Sequence, residues 1–137
     1  MGTSVVVGFY GSEAAERALE RAAAHAGADG RVVVVTARPT APASPLTDDP
    51  ILDAPSPSEQ RDLLRRSRVL LESHGARATF IAVDDDPAEA LIRVARSEDA
   101  ALIVVGQTGS GFVTRALLGS TAENVLRHAP CDVLVVV

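Results

Sequence analysis

The chain has 137 residues, 47% of them hydrophobic, and a formal net charge of −5. That suits one globular domain with a real core, and the acidic balance with scattered basic residues argues against nucleic-acid phosphate as a partner. All 13 basic residues are Arg, so a Schiff-base lysine and a phosphate-binding P-loop lysine are both excluded.

The single Cys131 cannot close an intramolecular disulfide, and no apolar run approaches the roughly 18 residues of a membrane span. Met1 to Ser4 ahead of a short apolar run does not read as a signal peptide. The expectation is a cytoplasmic protein with no membrane partner.

In chain order, SVVVGF (4–9) reads as a strand. Ser12 follows as a helix cap, with Ala14, Ala15, Ala18, Leu19, Ala22, Ala23 and Ala26 on one face and Gly27 as a stop. RVVVVTA (31–37) is a second strand, and its unbroken apolar run implies burial on both faces and a parallel sheet. Residues 38–57 hold six of the eight prolines and form a long loop. Ser56, Pro57 and Glu59 make a capping box that opens a helix with Leu63, Leu64, Leu70 and Leu71 inward and Gly75 past its end. RATFIAV (77–83) is the third strand, ALIVVG (101–106) the fourth and DVLVVV (132–137) the fifth, with helices at 87–98 and 119–128. No internal repeat or second domain emerges, and 1–137 reads as one domain.

Five β-α alternations call for right-handed crossovers and a doubly wound α/β sheet, with helices on both faces of five parallel strands in the order 3-2-1-4-5. Ligands of such sheets sit beyond the carboxyl ends of the strands where the order reverses, here between strands one and four. GFYGS (8–12) ends the first strand there, and the glycine-rich stretch GQTGSGFVTRALLGST (106–121) follows the fourth. Gly106 and Gly111 have the Walker A separation, but Phe112 and Val113 stand where Lys and Ser/Thr belong. A dinucleotide fingerprint fails at Thr114, which occupies the place of the third glycine. What remains is Gly106-x2-Gly109-x9-Gly119-Ser120, bare backbone that an anion can approach, leading into helix amides that favour phosphate oxygens.

This pattern, with VVVGFYGS, DDPAEALIRVA (85–95), ALIVVGQTG (101–109) and LLGSTAENVLRHAPCDVLVVV (117–137), resembles the nucleotide-binding branch of the universal stress protein family over essentially the whole chain. The loop at 38–57 matches that family's variable loop. The resemblance implies a flavodoxin-like or Rossmann-like fold, a homodimer, and binding of ATP or another adenine nucleotide, with or without magnesium and without established turnover. It implies that Gly106, Gly109, Gly119, Ser120 and Thr121 hold phosphate and ribose, while Gly8, Tyr10, Ala37 and Val105 line the base and sugar side. Two positions depart from it: Tyr10 stands where many members have Asp, and Ala122 where some have a hydroxyl residue. The Tyr10 ring either stacks on the base or fills the pocket.

Other polar groups have plainer readings. Asp86-Pro87-x-Glu89 is a helix cap rather than a magnesium site, and His25, His74 and His128 fall near three separate helix ends, so no metal site is expected. Cys131 beside Pro130 reads as a packing residue, Arg115 as a surface charge or a phosphate clamp, and no hydrolase triad is present. Two functional classes stand open: a nucleotide-binding stress or signalling protein whose occupancy alters its dimer or an unknown protein partner, and a nucleotide-free dimeric adaptor whose site Tyr10 has altered. An enzyme is the weaker third idea, at most a slow ATP hydrolase. The apolar strand 132–137 at the sheet edge, without Lys or Pro, predicts two-fold pairing with a second copy.

Overall fold

Each apolar run of the sequence becomes a strand and each segment of helical periodicity a helix. The computed structural model describes residues 2–38, 55–107 and 119–137. The elements run β1 (Ser4–Gly8), α1 (Glu13–Ala26), β2 (Arg31–Ala37), α2 (Pro57–Ser73), β3 (Arg77–Val83), α3 (Pro87–Ser97), β4 (Leu102–Gly106), α4 (Ser120–His128) and β5 (Asp132–Val136). The strands form one parallel sheet in the order β3-β2-β1-β4-β5, as expected from the alternation.

Burial on both faces explains the valine runs. Val5, Val7, Val32 and Val34 face a layer built by the alanines of α1 and by Leu71 of α2. Val6, Val33 and Val35 face the opposite layer, where α3 supplies Leu91 and Val94 and α4 supplies Ala122 and Val125. Apart from Thr36 near the end of β2, the interior of the central strands is therefore apolar on both sides, and each fully buried valine contributes roughly 1.5–3 kcal/mol.

The helix starts follow the sequence signals. Ser12 Oγ accepts from the Ala15 N–H at 3.1 Å, Ser56 Oγ from Glu59 N–H at 3.2 Å, and Asp86 from Glu89 N–H at 3.2 Å. The seven inward residues expected on α1 are its buried residues. On α2 the expected apolar stripe is only partly apolar: Leu71 is buried, Leu63, Leu64 and Leu70 pack from the side, and Gln60 and Ser67 are buried as well.

Because each described helix runs antiparallel to its strands, the starts of these four helices lie at the carboxyl end of the sheet. Tyr10, Ser56, Asp86 and Ser120 thus share one end of the molecule. β5 closes one side of the sheet, hydrogen-bonded on its inner side to β4 in the register Leu102↔Asp132 to Gly106↔Val136.

Candidate functional site

The strand order reverses between β1 and β4, which pair from Val5↔Leu102 to Val7↔Val104. Just past this register stand Gly8 and Tyr10 on one side and Val105 and Gly106 on the other. This is the crevice where doubly wound sheets take ligands.

On the β1 side, three of the expected residues meet. β2 outruns β1: their last paired residues are Gly8 and Val35, and β2 continues to Ala37. Tyr10 folds back so that its hydroxyl accepts the Ala37 N–H at 3.4 Å. Its Cε2 lies 3.5 Å from where a Cβ on Gly8 would stand. Ala37 is fully buried, while Tyr10 as a residue is 38% exposed, so it is the phenol oxygen rather than the whole side chain that is withdrawn from water. That burial pushes the Tyr10 hydroxyl up to about 12; the Ala37 N–H opposes the rise and the Asp86 carboxylate adds to it. The outer side of Tyr10 borders a cleft of about 290 Å³ shared with Leu63, Arg66, Glu59, Asp62 and Pro55.

On the β4 side, Val105 is 4% exposed and packs into the α3–α4 layer, leaving its backbone as the part that can meet a ligand. Gly106 has a structural reason of its own. A Cβ there would come within 2.8 Å of the Ala14 carbonyl carbon and the Ala15 nitrogen, so the first turn of α1 docks on the end of β4 only because no side chain intervenes. Gly109, with the rest of 108–118, lies outside the described residues, as do 39–54 of the proline-rich loop.

Gly119 is the N-cap of α4, extended at φ −64° and ψ 158°, and makes no side-chain cap bond. Ser120 is exposed and Thr121 half-buried in the first turn. The other three described helices each spend a Ser or Asp oxygen on their first amides; among the described residues no side chain does so for α4. Its N-terminal amides and the dipole behind them suit an anion.

Sequence reasoning missed Gln60. It is 4% exposed, and its Nε2 donates to Thr36 O at 3.2 Å and Val83 O at 3.3 Å, tying the ends of β2 and β3 beside Ala37. The signal was the spacing 60, 64, 67, 71, which puts two polar residues on the inward stripe of α2. The Thr36 hydroxyl next to it is buried with no partner among the described residues.

The acidic run is spent locally: Asp86 caps α3, Asp85 pairs with Arg93, and Asp84 stands 3.8 Å from Arg38. Among the described residues no three His, Cys, Asp or Glu side chains gather as a metal site, and no helix is long and apolar enough to cross a membrane. Cys131 is half-buried against the α3–α4 layer, its thiol raised by burial and by Asp132.

Comparison with known proteins follows the same lines. The family model described as the universal stress protein family matches residues 1–137. Universal stress protein Rv1636 of Mycobacterium tuberculosis is 33% identical over 138 residues, covering 97% of this chain and 94% of that protein. Its crystal structure superposes with a TM-score of 0.65 at 31% identity over 99% of this chain and 95% of that one. A universal stress protein crystallised in complex with cAMP superposes with a TM-score of 0.74 at 30% identity, covering 99% and 97% of the two chains. Sheet order, helix placement and full-length similarity agree, and the chain belongs to the universal stress protein family.

Proposed function

We propose that the protein binds an adenine nucleotide at the carboxyl ends of β1, β2 and β4 and acts through that occupancy as a stress-response or signalling dimer in the cytoplasm. The observation that carries this reading is the start of α4. It lies at the switch-point end of the sheet with Gly119 as its N-cap and, among the described residues, no side chain bonded to its first amides, which is the chemistry that suits a phosphate. The cAMP bound to a relative of 30% identity supports adenine as the base. In this reading Gly106, Gly109, Gly119, Ser120 and Thr121 surround phosphate and ribose, and Gly8, Tyr10, Ala37 and Val105 the base and sugar.

Calorimetric titration with cAMP, AMP and ATP, each with and without magnesium, tests the proposal, together with mass spectrometry of anything released from the purified protein. Micromolar binding of one adenine nucleotide is expected. No heat with any of the three, and no released nucleotide, would remove it. The second reading, a nucleotide-free dimeric adaptor, is favoured by one observation: the Ala37 N–H is already taken by Tyr10.

A further inference from the structure

Tyr10 is the sole tyrosine of a chain without tryptophan. Its position follows from a mismatch in strand length. The Phe9 N–H still donates to Val35 O at 3.1 Å, so the peptide groups of Val35, and two residues on those of Ala37, face the track of β1. At Ala37, however, β1 has already turned away. A ladder donor on a fully buried residue is left over, and buried N–H groups need a partner. The Tyr10 hydroxyl supplies one from within the chain.

The bond is a long one. At 3.4 Å it lies beyond the usual range for N–H···O, so an acceptor arriving from solution can match or better it. The ring also has somewhere to go, because the cleft beside Leu63 and Arg66 opens on its outer side. Gly11, at φ +87°, turns the chain directly after Tyr10 and runs so close to α2 that a Cβ would meet Leu63 Cδ2 at 2.9 Å.

We propose that Tyr10 is a displaceable latch at the base end of the crevice: its phenol holds the Ala37 N–H in the free protein, and a nucleobase binds by presenting its own ring acceptor to that N–H and driving the phenol toward the α2 cleft. The proposal rests on the adenine-nucleotide reading and adds the residue that sets affinity and selectivity at that site. One acceptor is exchanged for another, so the bond to Ala37 gives little net affinity, and the apparent affinity is lowered by the fraction of molecules in which the latch is closed. Ligands without a ring acceptor of suitable placement cannot open it. The two readings of the site, occupied by nucleotide or filled by Tyr10, then become two states of one protein.

The test compares the full chain with Tyr10→Phe, which keeps the ring and removes the acceptor, and Tyr10→Ala, which removes both. Calorimetry with cAMP and AMP measures affinity, thermal melting checks that each variant is folded, and tyrosine fluorescence of the parent follows the latch itself. Expected are a parent that binds, a Tyr10→Ala variant that binds roughly tenfold tighter, Tyr10→Phe in between, and a change in tyrosine emission that tracks calorimetric saturation. Equal or weaker binding by Tyr10→Ala makes Tyr10 a bystander or a stacking platform and overturns the latch while leaving the nucleotide reading intact. Binding by Tyr10→Ala alone makes Tyr10 a fixed plug and also overturns it. Binding by none of the three proteins removes the nucleotide reading and the latch together.

Discussion

The backbone of Ala14 passes so close to Gly106 that its carbonyl carbon would lie 2.8 Å from any Cβ placed there. The contact is with main chain in the first turn of α1, which cannot rotate aside as a flexible side chain would. Gly106→Ala therefore forces α1 away from β4 and is expected to cost about 1–3 kcal/mol in chemical denaturation. A variant as stable as the parent would show that the first turn of α1 yields freely. Since Gly106 also belongs to the proposed phosphate side, lost binding in this variant has to be read together with its stability.

Gln60 presents a second test of how the crevice is held. Its amide links the Thr36 and Val83 carbonyls from a nearly buried position, so Gln60→Leu keeps the volume and removes two hydrogen bonds. The expected loss is about 1–3 kcal/mol, seen as a lower denaturation midpoint at unchanged slope. Because β2 ends at Ala37, the tyrosine emission of the free protein should shift as well. An unchanged midpoint would mean that water replaces the amide at both carbonyls.

Much of this architecture is legible in the sequence, since the signals are local and agree. The valine runs at 5–7 and 32–35, the alanine face of α1 and the caps Ser12, Ser56 and Asp86 all point to one doubly wound sheet, and that is the fold. Element ends slipped by a residue: β1 stops at Gly8 rather than Phe9 and β4 begins at Leu102 rather than Ala101. Hydrophobicity marks a strand's interior, whereas hydrogen bonds to its neighbour define its ends. For the candidate site the sequence offers a glycine spacing, which could not separate the roles of its glycines; Gly106 answers to helix docking, which appears only once α1 and β4 are in place. Nor could it show the Tyr10 hydroxyl on the Ala37 N–H, which depends on β2 outrunning β1.

The Tyr10 hydroxyl gives the protein an alkaline signature. Its value in the fold is raised from the ordinary 10.0 to about 12, chiefly by burial, so the folded state holds its proton where the unfolded chain has lost it. The contribution to stability is fully present below pH 10 and is lost as pH climbs from 10.0 toward about 12, because the folded state must then keep a neutral phenol or bury a charged one. With a single tyrosine, tyrosinate absorbance reports this group alone. A titration midpoint well above 10.0 is expected in the native protein, and Tyr10→Phe should flatten the fall in stability over the same window. A midpoint near the ordinary value would place the hydroxyl in water.

The last prediction concerns assembly and starts from which side of β5 is paired. The Gln107 N–H donates to Val136 O at 2.7 Å, so Val136, and by alternation Leu134, turn their peptide groups toward β4. Val133 and Val135 turn theirs outward, at an edge where no other described strand pairs with β5. Their side chains pack with the α3–α4 layer while those of Leu134 and Val136 pack with the α1–α2 layer, so a strand added at this edge would extend both apolar layers at once. An apolar edge without Lys or Pro is a pairing template, and a two-fold contact with the same strand of a second copy closes it without propagating. We therefore expect a homodimer centred on residues 132–137. Val135→Pro removes an outward donor without touching the β4 ladder, so it should weaken the dimer by roughly tenfold or more while the fold persists. Leu134→Pro, which breaks an inward bond, should instead destabilise the monomer. Light scattering across a micromolar dilution series decides the matter: a parent that is monomeric throughout, or a Val135→Pro variant that dimerises as tightly as the parent, would show that this edge is not the interface.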